Sequence, residues 1–91
     1  MNKTVDVLLN HIWVSSELAA KREKDPVVRA DIWCCSEIVF SDAMLYLQRD
    51  GFKDTDEFKR ASRFQVQARN RELTELKIII KTQKQKPPES R

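Results

Sequence analysis

Residues 25–51 read DPVVRADIWCCSEIVFSDAMLYLQRDG. Asp25 suits a helix N-cap, Pro26 the first helical turn, and Gly51 a C-terminal stop. The interval Pro26–Asp50 contains no Gly and no further Pro, which predicts about 25 residues of helix, roughly 37 Å at 1.5 Å per residue. Its apolar residues run almost all the way round the wheel: Val27, Cys34, Ile38 and Leu45 on one side, Ile32, Val39 and Ala43 on a second, Trp33, Phe40, Met44 and Leu47 on a third. A helix apolar on every side is a buried one. In a chain of 91 residues it needs cover from its own neighbours or from another subunit.

Working outward, residues 4–23 predict a first helix, with Val5, Leu8, Leu9, Ile12, Trp13, Ser16, Ala19 and Ala20 forming one apolar stripe. The short charged link Lys21–Asp25 requires the first two helices to run antiparallel as a hairpin. Beyond Gly51, Asp54 with Glu57 three residues later resembles a capping box, and a third helix is expected from there to about Lys84. Its expected core side is Phe58, Ala61, Val66, Ala68, Leu73, Leu76, Ile79 and Ile80. With a single Gly, and Pro only at 26, 87 and 88, the chain has few elements and long ones. The expectation is an all-α fold, an antiparallel hairpin plus a long third helix closed into an oligomeric three-helix bundle. The domain covers residues 1–84, and 85–91 form a flexible polar tail ended by Pro87-Pro88.

Chemistry-bearing patterns are sparse. His11 is the only histidine and has no Cys or carboxylate at ligand spacing, so no metal is expected. Cys34-Cys35 is not CxxC, and adjacent side chains on a helix diverge too far to bond. A core role and a reducing, cytosolic compartment follow for these thiols. Asp31 and Asp42 lie about three turns apart, roughly 16 Å, too far for a shared acid–base pair. One Gly excludes a phosphate-binding loop, and Ser15, Ser16 and Ser36 have no base nearby. No catalytic residue, cofactor, secretory signal or membrane span is expected.

Charge is uneven along the chain. Four basic and four acidic residues cancel over 1–25, six acidic outweigh three basic over 26–56, and ten basic outweigh four acidic over 57–91. On the third helix Lys59, Arg60, Arg63, Arg71, Lys77 and Lys81 share a side able to meet phosphates or an acidic protein. No helix-turn-helix and no interleaved aromatics accompany them. Arg69 falls in the sector of Val66, Leu73, Leu76 and Ile80, where a charge needs a carboxylate partner or sets register in a helical dimer.

A second stripe, Val7, His11, Val14 and Leu18, lies on the far side of the first helix. Beside the open side of helix two, expected at Trp33, Phe40 and Leu47, it marks a contact with a second copy, a dimer being favoured, or with a protein partner. The functional expectation is therefore a small non-enzymatic helical interaction protein, in the manner of bacterial or phage regulators, inhibitors and adaptors. The alternative is a nucleic-acid-binding accessory protein using the basic face.

Overall fold

Three helices, α1 (Lys3–Arg22), α2 (Pro26–Arg49) and α3 (Asp56–Gln85), follow one another in the computed structural model, which describes residues 3–85. The expected tail lies outside the described residues except for Gln85, which is still helical. Local chemistry sets the boundaries. The Asp25 carboxylate accepts the Val27 N–H at 2.9 Å, with Pro26 at the first position of α2. Arg29 reaches back to donate to the carbonyls of Glu23 and Lys24, both at 3.0 Å, and so ties the α1–α2 link to the helix it opens.

At the other end Gly51 takes φ +86°. This lets the Phe52 N–H reach the Leu47 carbonyl at 2.7 Å and the Gly51 N–H the Gln48 carbonyl at 3.1 Å, the double closure of a Schellman motif. α3 opens one residue later than expected. Thr55, not Asp54, provides the cap: its hydroxyl donates to the Phe52 carbonyl at 2.7 Å and accepts the Phe58 N–H at 3.3 Å.

The helices form an all-α bundle in which α2 and α3 pack most extensively and α1 lies along one side of that pair. The core is an aromatic column. Trp13 contacts Trp33 with ring centroids 5.2 Å apart, Trp13 stacks on Phe64 at 5.1 Å, and Phe64 meets Phe40 at 5.2 Å. Ala61 and Ala68 are fully buried, so α3 presents almost no side chain there and Trp33 and Phe40 fill the gap. Leu9 and Ala20 complete the cluster from α1, and the buried hydroxyls of Ser16 and Ser36 hydrogen-bond to each other across α1 and α2.

Four expectations need correction. Trp33, Phe40 and Leu47 do not lie on an open side of α2. They are 2%, 0% and 7% exposed, because this is the stripe that α1 and α3 jointly cover. On α3 the core side is rotated from the expected one. Ala61, Phe64, Ala68, Glu72 and Glu75 turn inward, while Val66, Leu73, Leu76 and Ile80 are exposed. Glu72 and Glu75 occupy inward positions because they gain polar partners there, Glu75 pairing with Arg29 at 3.0 Å. On α1, Leu8 and Ala19 are exposed, since the buried stripe is narrower than the apolar one. The two thiols are not core: Cys34 is half-buried and Cys35 exposed.

Candidate interaction surfaces

The outer side of α1 carries Val7, His11, Val14 and Leu18, all exposed, with Val7 at 63%, Val14 at 50% and Leu18 at 48%. Leu9, Ser16 and Ala20 are buried on the opposite side. At 100° per residue the two stripes are half a turn apart, so the outer one cannot be reached by α2 or α3. Near its C-terminal end it borders a cleft between α1 and α3, lined by Val14, Leu18, Arg71, Thr74 and Glu75 among others.

The six cations expected on one face of α3 divide between two environments. Arg60 turns to α1, pairing with Asp6 at 2.5 Å and donating to Asn10 at 3.4 Å. Arg71 also turns to α1. Its guanidinium lies 5.2 Å from the Trp33 ring centroid and 5.6 Å from that of Trp13, and it meets Glu17 at 3.5 Å. Both arginines therefore help fasten α1 to the bundle. Lys59, Arg63, Lys77 and Lys81 remain exposed on the outer side of α3. They form two pairs one helical turn wide, separated by the 14 steps from Arg63 to Lys77, about 21 Å of helix. Asp42 and Arg63 are both exposed and do not pair with each other within the chain. Arg69 is exposed among Val66, Leu73, Leu76 and Ile80, so the cost of burying its charge does not arise within one chain.

A further surface is invisible to pattern reading, because apolarity alone assigns its α3 residues to the core. Val27, Ile38 and Leu45 of α2 are exposed, as are Val66, Leu73 and Ile80 of α3. Both stripes lie on the side of the α2–α3 pair away from α1, as the opposite placement of the α1-facing Arg60, Arg71 and Ser36 requires. Between the stripes Cys34 approaches Glu72 in a shallow depression also lined by Val27 and Asp31. Burial pushes the Cys34 thiol above its ordinary range, and the Glu72 carboxylate adds to this by its charge and by accepting the thiol proton in a hydrogen bond.

Among the described residues no group of three or more His, Cys, Asp or Glu side chains is placed to hold a metal ion, and no helix is long and apolar enough to cross a membrane. No protein-family model matches this chain, and no curated protein or solved structure matches it either.

Proposed function

We propose that the protein is a small non-enzymatic interaction module that binds a protein partner through the outer side of α1. The observation carrying this reading is the stripe Val7, His11, Val14 and Leu18, three apolar residues and one histidine exposed on a helix whose other side is already committed to the core. Scattered apolar residues on a surface are ordinary, whereas a contiguous row at four-three-four spacing suits another helix. The unpaired Cys34 and Cys35 support placing this activity in the reducing cytosol.

The test is affinity capture from the native cell with wild-type protein and with the Val14→Asp/Leu18→Asp variant. Both substitutions lie at exposed positions, so helicity should be retained and can be checked by circular dichroism. Loss of a wild-type partner with the folded variant supports the reading. Full retention of every partner defeats it.

A nucleic-acid role is the second reading. Its support is the shared outward exposure of Lys59, Arg63, Lys77 and Lys81, in a segment with ten basic and four acidic residues. Binding of this kind weakens steeply with salt, so titration of a labelled duplex and a labelled single strand at two salt concentrations decides it. The separation of the cations into two pairs favours the protein partner.

A further inference from the structure

The α2–α3 side away from α1 is an open apolar face with a regular pattern. On α2 the apolar Val27, Cys34, Ile38 and Leu45 share with Asp31 and Ser41 a row at alternating steps of four and three, and on α3 Val66, Leu73, Leu76 and Ile80 share one with Ser62 and Arg69. Each row is the seam of a helix built to pack against another helix. Neither row faces a helix of its own chain, since Val27, Ile38, Leu45, Val66, Leu73 and Ile80 are all exposed.

We propose that this face seats a second copy of the chain, forming a four-helix core from two α2–α3 pairs with each α1 on the outside. Three observations select a second copy over an unrelated partner. The first is register. The Arg29–Glu75 and Phe40–Phe64 contacts fix which residues of α2 and α3 lie level within one chain. Ile38 is level with Val66, Cys34 lies between Arg69 and Leu73, and Val27 between Leu76 and Ile80. A twofold axis parallel to the helices keeps every level and lays α2 of one copy along α3 of the other. Ile38 therefore meets Val66, Cys34 meets Leu73 and Val27 meets Leu76 and Ile80, while Asp31 comes level with Leu73 and Leu45 with Lys59, in the antiparallel register already used inside the monomer.

The second observation is charge. Asp31 lies within the α2 row and Asp42 flanks it, and Lys59, Arg63 and Lys77 flank the α3 row, all exposed. The same twofold axis brings the acidic flank of α2 beside the basic flank of α3 from the other copy, with Asp42 level with Arg63. The outward aspartate and arginine, which do not pair within one chain, thus pair between copies. Arg69, inside the row, comes level with Cys35 of the facing α2, two residues, about 3 Å, from the level of Glu37. A twofold axis across the helices would instead stack α3 on α3 and set cation against cation, which discriminates against that arrangement.

The third is size. The face runs about 27 Å along α2 from Val27 to Leu45, at 1.5 Å per residue. Two helices packed 8–10 Å apart make it about 20 Å wide. Each copy thus offers roughly 550 Å², about two thirds of the ~800 Å² per partner of a standard interface and within the range of a weak dimer. This surface is separate from the outer side of α1, so the dimer leaves Val7, Val14 and Leu18 open to a partner.

The experiment uses two single charge reversals, Asp42→Arg and Arg63→Asp, studied apart and mixed, with sedimentation equilibrium at low salt. Wild type is expected to be a dimer at micromolar concentration. Each variant alone sets like charges against one another on both sides of the twofold and should dimerise roughly tenfold more weakly. The mixture restores both opposite-charge pairs between different chains, and should recover near-wild-type association as a heterodimer. A wild type that stays monomeric at high micromolar concentration overturns the proposal. So does a mixture no tighter than its components, or a dimer abolished by Val14→Asp/Leu18→Asp but unaffected by Ile38→Asp/Leu73→Asp. Since Ile38 and Leu73 are exposed in the monomer, the last variant should stay helical. If it unfolds, the mixing experiment alone decides whether the two seams meet.

Discussion

Trp13 of α1 stacks on Phe64 of α3 with planes only 4° from parallel and centroids 5.1 Å apart. The same indole ring touches Trp33 of α2, so one side chain joins all three helices. α1 makes less contact with the bundle than α2 and α3 make with each other, which places much of its attachment at this ring.

Trp13→Ala and Phe64→Ala should therefore each destabilise the fold by about 3–5 kcal/mol, a large part of the ~5–15 kcal/mol of a small domain. Because the rings touch, the double variant should lose less than the two singles added, by about 1 kcal/mol. Urea denaturation followed by circular dichroism measures this. Unchanged melting of Trp13→Ala would contradict the three-way contact.

The Ser16–Ser36 bond predicts a different pattern. Each hydroxyl also has its own backbone carbonyl within reach, Ile12 for Ser16 at 2.8 Å and Ile32 for Ser36 at 3.0 Å. Removing one serine leaves the other a local partner, so either Ala variant should cost only about 1 kcal/mol. The double variant removes both polar groups from a buried site and should cost no more than one single. Strictly additive losses in the same denaturation assay would show that the hydroxyls do not interact.

The two thiols should differ in reactivity. Cys35 is exposed, whereas Cys34 is half-buried, and burial together with Glu72 holds its titration above the ordinary value. Only the thiolate alkylates, so at pH 8 the Cys35→Ser variant should react with iodoacetamide more slowly than the Cys34→Ser variant. Adding Glu72→Gln to Cys35→Ser removes the negative neighbour, and the remaining thiol should then react faster. The folded state favours protonated Cys34. Its contribution to stability is thus present below the pKa of the unfolded thiol and is lost as pH rises through the higher folded one. Equal alkylation rates, read by mass spectrometry, would remove the Glu72 effect.

Helicity, the helix ends to within two residues, and the chain reversals at Asp25 and Gly51 are all legible along the chain. Those features depend on residues close together in sequence: the Asp25 cap, Pro26, the single glycine, and the absence of other breakers. The outward placement of Val7, His11, Val14 and Leu18 is legible too, because the opposite stripe of α1 is the more apolar one. The inward faces of α2 and α3 are not. α2 is apolar all round, so no periodicity singles out Trp33, Phe40 and Leu47 as core over Val27, Ile38 and Leu45. On α3 the inward side is chosen by packing. Ala61 and Ala68 admit the large rings of α2, and Phe64 meets Trp13 and Phe40, whereas the more apolar Val66–Leu73–Ile80 row has no helix of its own chain to face. Hydrophobicity alone ranks residues by how strongly they leave water. Which of them can do so together depends on shape, and shape is settled between helices rather than along one.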